Sequence, residues 1–229
     1  MFNIFFRRVF QVTLFVYVCI VSWASVASVQ IQVVDFAGEP VSDAIIAIDS
    51  KSQQSAVNNT LAVMDQVDMT FQPHVLLVQK GQAVAFPNND NIRHHVYSFS
   101  KAKTFELKLF RGLHSEQIVM EQAGIVELGC NIHDNMLGFI YVDDTNTAVK
   151  TNAQGMAVLP SRSQMQVNIW HPALAIGIDK REERVLEQGK GLQVIKINLN
   201  PPAAPETKRS FKRRFNAPSS PSAGSGGGS

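Results

Sequence analysis

Cys130, His133 and Met136 stand three residues apart in the segment Cys130-Asn131-Ile132-His133-Asp134-Asn135-Met136. Together they offer a thiolate, an imidazole and a thioether. Soft sulfur combined with imidazole suits copper, and one Cys, two His and a weak axial Met make up the blue-copper electron-transfer site. Three of those four ligands lie on this segment, so the fourth, a histidine, must come from elsewhere. A lone cysteine is commonly a small inert core residue. The adjoining His133 and Met136 turn the reading of Cys130 toward metal ligation. Methionine is not a usual zinc ligand, which disfavours a structural zinc site.

Two apolar runs must position this segment. Gly124-Ile125-Val126-Glu127-Leu128-Gly129 leads in and Gly138-Phe139-Ile140-Tyr141-Val142 leads out, both strand-like. Upstream, a strand is expected over residues 83–86, then the polar turn Pro87-Asn88-Asn89-Asp90, then a second strand over 95–99. Two adjacent histidines, His94 and His95, open that second strand. Strand alternation sends their side chains to opposite faces, so only one of them can face the sulfur ligands.

Residues 67–142 resemble the cupredoxins, and amicyanin-like members above all. In that family the first histidine ligand follows a glycine, a strand and an asparagine-bearing turn, as in the stretch from Gly81 to His94. The short Cys-x2-His-x2-Met loop falls on Cys130, His133 and Met136. The resemblance therefore implies one type 1 copper ion held by His94, Cys130, His133 and Met136, with His95 in the place of a usual asparagine. The wording His94-His95-Val96-Tyr97-Ser98-Phe99-Ser100 and Leu128-Gly129-Cys130-Asn131-Ile132-His133-Asp134 is also similar to a secreted bacterial methylamine-utilisation or plastocyanin-like group. Asn89 stands where the family has an asparagine before the first ligand, and turn geometry accounts for it equally well. By the same resemblance the ring edge of His133 is the electron port, and Ile92, Ile132 and Leu137 are candidates for an apolar docking patch. His74, His114 and His171 are not assigned to metal, and Met64 and Met69 are read as strand core.

The whole chain sets the context. Arg7 and Arg8 precede a mostly apolar run over residues 9–23, and Ser25-Val26-Ala27 supplies small residues for cleavage. Residues 1–27 are thus expected to be a signal peptide, with export to the periplasm and no stable membrane insertion afterwards. Cys19 leaves with the leader, and Cys130 remains as a single thiol in an oxidising compartment. Residues 28–205 carry 14 basic and 18 acidic side chains, a net of −4. A mildly acidic body of this kind does not suggest a nucleic-acid binder. The expected partner is a redox protein, a cytochrome or a periplasmic dehydrogenase.

Apolar residues alternate with period two nearly throughout, as in Gln30-Ile31-Gln32-Val33, Phe105-Glu106-Leu107-Lys108-Leu109 and Gln166-Val167-Asn168-Ile169. Turn residues separate these runs, which predicts an all-β chain built from sandwiches. The best helical candidate is the short charged stretch 180–188. The opening, with Asp35-Phe36-Ala37-Gly38-Glu39-Pro40 between two strands, resembles the carboxypeptidase-regulatory-like sandwich, and so does the later hairpin at Asn152-Ala153-Gln154-Gly155. The expectation is a cupredoxin Greek-key sandwich at 61–144 inserted in, or joined to, a second small sandwich made from 28–60 and 145–200. One enlarged cupredoxin with extra edge strands is the competing parse. Residues 201–229, rich in Pro, Gly, Ser and basic side chains, are expected to be a disordered tail.

Electron carriage is the leading functional expectation, and copper storage, delivery or sensing with the same ligands is the alternative. An enzyme is not expected. Cys130 and His133 as nucleophile and base would share one tight loop, with no third group to orient them.

Overall fold

Period-two alternation becomes sheet along the whole described chain. The computed structural model describes residues 28–49, 60–112, 116–160, 165–187 and 191–201. The stretches expected to be a signal peptide (1–27) and, beyond Pro201, a disordered tail lie outside the described residues, as does His114. Every regular element among the described residues is a strand.

The largest sheet has the spatial order β6 (Val75–Gln79), β12 (His133–Asp143), β11 (Gly124–Cys130), β8 (His94–Ser100) and β9 (Lys103–Phe110). A three-stranded sheet packs against it, in the order β10 (Ile118–Val119), β7 (Ala83–Ala85) and β3 (Ala62–Val63). Their shared core holds Met64, Phe71, Phe86, Val96, Leu107, Met120, Leu128 and Ile140. The hairpin of β4 (Asp65–Val67) and β5 (Thr70–Gln72) turns through Asp68 and Met69, whose φ values are 51° and 57°. Two positive φ angles in a two-residue turn are the type I′ signature. They lift Met69 out of the core into which the sequence reading placed it, while Met64 is fully buried.

A second sandwich uses both ends of the described chain. One sheet has the order β14 (Met156–Pro160), β1 (Ser28–Val34) and β17 (Gln193–Lys196). The other has the order β13 (Val149–Lys150), β2 (Ile45–Ile48), β15 (Met165–Trp170) and β16 (Glu182–Leu186). Ile31, Val33, Ile45, Ile46, Leu159, Val167, Ile169, Trp170 and Ile197 fill the space between. The chain is therefore all-β, a sandwich carrying the Cys130 segment joined to a second small sandwich.

The stretch read as the best helical candidate is strand β16. It pairs antiparallel with β15 from Met165↔Leu186 to Ile169↔Glu182. Only Leu186 of its five residues is fully buried. A short helix with no apolar stripe has little to bury, whereas the ladder to β15 satisfies the backbone. The charges of Glu182, Glu183 and Arg184 suit an edge strand, where they discourage pairing with another chain.

Strand β12 joins the two halves. Ile140 and Val142 point into the first core, while Phe139 and Tyr141 belong to the second. Trp170 packs on both of these rings, with centroids 6.1 Å from Phe139 and 5.6 Å from Tyr141. The Arg181 Nε donates to the Tyr141 hydroxyl at 3.0 Å. Burial on both faces explains why Phe139-Ile140-Tyr141-Val142 reads as a continuous apolar run rather than an alternating one.

Candidate metal centre

The sulfur-bearing segment is a bulged hairpin rather than a loop between finished strands. Strand β11 ends at Cys130 and β12 begins at His133, and these two residues pair directly. One step back, Gly129 pairs with Leu137. Residues 134–136 therefore have no partner on β11, and the ladder is interrupted there. Bulges of this kind commonly re-aim side chains beside functional sites. This one brings His133 beside Cys130 and leaves Met136 in the same buried cluster.

Two glycines bracket the hairpin because aromatic rings lie over them. A Cβ at Gly129 would come within 2.7 Å of the Tyr97 ring, and one at Gly138 within 2.7 Å of the Phe71 Cβ. Neither position has room for a side chain.

The second ligand-bearing segment connects β7 to β8, and Asn88 organises it. Asn88 is almost fully buried. Its Nδ2 donates to the carbonyls of Ile92 at 3.0 Å and Phe110 at 2.8 Å, and its Oδ1 accepts from the Asp90 N–H at 3.0 Å. Asn89, by contrast, turns outward: its Nδ2 donates to Asp65 Oδ2 at 2.7 Å. Asn88 and Asp90 hold the turn that delivers His94, and the sequence reading had singled out neither. The visible signal was their place in Pro87-Asn88-Asn89-Asp90, where any of three polar residues could have served.

His94 is completely buried and Cys130 is 4% exposed. The Nδ1 of His94 is 3.7 Å from the Cys130 Sγ, and the Nδ1 of His133 is 3.6 Å from it. The two imidazole rings are 5.0 Å apart at an interplanar angle of 60°. All three donor atoms lie within 4.8 Å of one another. Bonds of about 2.0 Å to nitrogen and about 2.3 Å to sulfur, lengths usual for zinc with these donors, would leave each nitrogen about 3.7 Å from the sulfur at an open angle. The donor set and its spacing thus fit a copper ion. Met136 is buried in the same core cluster as Cys130, and its thioether is the soft, weak donor that such a site uses axially.

His95 faces the other side of the sheet, where its Nε2 is 2.9 Å from Glu106 Oε1. Its backbone ties the two segments together, because the Asn131 N–H donates to the His95 carbonyl at 3.3 Å. His74 lies edge-on to Phe139, 5.3 Å between centroids, and His171 belongs to the second sandwich, its Nδ1 accepting from the Ala173 N–H at 3.1 Å. Among the described residues, His94, Cys130 and His133 form the one such cluster of potential metal ligands drawn from His, Cys, Asp and Glu.

On the far side of His94, its Nε2 is 2.9 Å from Asp90 Oδ2, and the same oxygen accepts from the Met69 N–H at 2.8 Å. These contacts hold the Asp90 carboxyl below its ordinary pKa, the Met69 N–H contributing most and the His94 ring next. Ile92, Ile132 and Leu137 are 42%, 48% and 44% exposed, so all three present apolar surface to solvent.

No family model matches the chain, and no curated protein matches it. Among solved structures it is similar to a variant of amicyanin in its reduced Cu(I) form, at 22% identity, covering 43% of this chain and 98% of that one, with a TM-score of 0.33. It is similar to a purple cupredoxin from Nitrosopumilus maritimus at 18% identity, covering 37% of this chain and 100% of that one, with a TM-score of 0.32. A copper-containing nitrite reductase from Thermus scotoductus SA-01 is also similar, at 21% identity, covering 49% of this chain and 28% of that one, with a TM-score of 0.35. The site assignment rests on none of these likenesses.

Proposed function

We propose that this protein is a periplasmic type 1 copper protein that carries single electrons between redox partners. His94, Cys130 and His133 would hold the ion, with the Met136 thioether as a further, weaker donor. The observation that carries the reading is the convergence of two imidazole Nδ1 atoms on one buried thiol, at 3.7 Å and 3.6 Å. Copper held in this way supplies a one-electron couple whose potential responds to the axial ligand and to hydrogen bonding around the site.

The protein's own part is to keep the donors still. His94 and Cys130 lie on adjacent, paired strands, with Cys130 opposite Val96. Asn88 fixes the turn before His94, and Gly129 and Gly138 let aromatic rings seat the hairpin. A site that is rigid in this way changes little between two oxidation states. Cys130 is too enclosed to attack a substrate, which supports a carrier over an enzyme.

His133 is the least enclosed of the three donors, and Ile92, Ile132 and Leu137 supply exposed apolar surface. This supports a small, transient docking patch for a redox protein, of the size usual for electron-transfer encounters. Arg7 and Arg8 ahead of the mostly apolar run over residues 9–23 support export. The two ends of the described chain share one sandwich, since β1 pairs with both β14 and β17. This supports an architecture in which 61–144 is inserted into a second domain made of 28–60 and 145–200.

The test of function is kinetic. Copper-loaded mature protein should cycle reversibly by one electron with a small redox mediator and retain its metal in the presence of a copper chelator. Replacing Leu137 or Ile132 with Lys should slow exchange with a protein partner and leave the visible spectrum unchanged, with a salt dependence that follows the added charge. Rapid loss of copper to the chelator, without reversible cycling, would replace the carrier reading with storage or delivery.

A further inference from the structure

We propose that Asp90 is the positioning residue of the metal site: its carboxylate fixes which nitrogen His94 offers to copper and biases the site toward the oxidised ion, a role that rests on the copper reading above.

Histidine has two ring nitrogens, and the structure gives each a different neighbour. Nδ1 faces the Cys130 Sγ at 3.7 Å, and Nε2 faces Asp90 Oδ2 at 2.9 Å. An ionised carboxylate can only accept hydrogen bonds. The proton of a neutral His94 therefore sits on Nε2, which leaves the lone pair of Nδ1 directed at the site. Metal-bound histidines are commonly held this way, and the partner on the far nitrogen sets both the tautomer and the basicity of the ring. The His94 side chain is fully buried while that of Asp90 is 13% exposed, so the carboxylate stands between Nε2 and solvent. His133 has no carboxylate partner among the described residues, and the asymmetry singles out His94 as the ligand prepared in advance.

Asp90 is itself held from three directions. Its Oδ2 accepts from the Met69 N–H at 2.8 Å, which links it to the β4–β5 turn. Its Oδ1 accepts from the Asn91 N–H at 3.1 Å, and its own N–H donates to Asn88 Oδ1 at 3.0 Å. The carboxylate is a fixed negative charge one imidazole ring away from the ion's place. Such a charge stabilises Cu(II) more than Cu(I), because the interaction grows with the charge of the ion. The simpler role for an aspartate here is to cap the turn. Asparagine would do that equally well, and its introduction would leave the metal properties alone.

The experiment compares the parent with Asp90→Asn and Asp90→Ala. The ring nitrogens of His94 are read by 15N NMR in the metal-free proteins, Cu(I) and Cu(II) affinities by chelator competition, and the potential by redox titration. In the metal-free parent the proton should be on Nε2. Asp90→Ala should populate the other tautomer and lose about 10- to 100-fold in Cu(II) affinity, with a smaller loss for Cu(I). Each tenfold of that difference raises the potential by about 59 mV. Asp90→Asn keeps an oxygen acceptor and the turn, so it should preserve the tautomer and still raise the potential. A proton on Nδ1 in the metal-free parent overturns the proposal. An Asp90→Asn protein with parental melting temperature, affinities and potential reduces Asp90 to a turn residue and also overturns it. If the parent takes up no copper, the copper reading fails separately, and the tautomers of the metal-free proteins still decide whether Asp90 sets the ring.

Discussion

The two sandwiches solve the same packing problem with different materials. The second is filled largely by branched aliphatics around Trp170, among them Val33, Ile45, Ile46, Val167 and Ile169. The first places sulfur among its apolar residues, with Met64, Met120, Cys130 and Met136 all buried. Each also has a buried polar fastener. In the second sandwich, Thr151 Oγ1 donates to the Val41 carbonyl at 2.8 Å and accepts from the Ala44 N–H at 2.9 Å, closing a separation of more than a hundred residues. In the first, Asn88 fastens the turn that delivers His94. The fastener in one half ties Val41 and Ala44 to Thr151 across the chain, and in the other it secures His94. Damage to the two halves should therefore show in different observables.

A protein produced without residues 1–27 would allow them to be read separately. It lacks Trp23, which leaves Trp170 as a reporter of the second core, while the copper band expected of the proposed site would report the first. The largest effect expected is from Trp170→Ala, which removes a fully buried ring packed edge-on to Phe139 and tilted against Tyr141. It should cost about 3–5 kcal/mol and lower the melting temperature measured by circular dichroism, and the copper spectrum of the protein that remains folded should be unchanged. A lost or shifted band would mean that the halves are coupled through β12 more tightly than their separate cores suggest. Asn88→Ala is the reverse case. It removes hydrogen bonds to the Ile92 and Phe110 carbonyls and from the Asp90 N–H, each worth about 0.5–1.5 kcal/mol. Copper affinity should fall while Trp170 fluorescence at low denaturant stays parental. Thr151→Val should lower stability by a similar amount and leave copper affinity alone.

The smallest effect is a pH dependence. Burial holds His171 below its ordinary pKa of 6.5, with Asp43 and the Ser42 backbone opposing the shift and His74 adding to it. A histidine kept neutral in the folded state contributes stability that is fully present above the unfolded value, about 6.5. That contribution is lost as pH falls through the lower folded value. Denaturation followed by Trp170 should therefore become easier from about pH 6.5 downward. His171→Asn should flatten that slope; an unaltered slope would assign it to another group.

Much of this architecture was legible in the residues. Alternation located the strands because most of them bury one face only, as in Gln30-Ile31-Gln32-Val33. Cys130 and His133 were legible as a pair because few other roles need a thiol and an imidazole at that spacing beside a methionine, and their donor atoms do lie together with that of His94. Less was visible where tertiary contacts decided the outcome. The charged stretch 180–188 is the best helical candidate by composition, and its residues 182–186 form a strand because β15 offers them a ladder. Met69 resembles core and sits in a turn because Asp68 and Met69 both take positive φ. Asp90 and Asn88 are two of three polar residues in one turn, and only the direction of their side chains separates them from Asn89.

The central claim is that His94, Cys130 and His133, with Met136 beside them, hold one type 1 copper. Its most direct test is the visible absorption and EPR spectrum of signal-free protein loaded with Cu(II), taken alongside Cys130→Ser, His94→Ala and His95→Ala. The account predicts an intense thiolate-to-copper band that a mild reductant bleaches, lost in Cys130→Ser and His94→Ala and retained in His95→Ala, whose ring pairs with Glu106 on the opposite face. A colourless one-to-one copper complex, a band that survives in Cys130→Ser, or the two histidine variants behaving the other way round would contradict it.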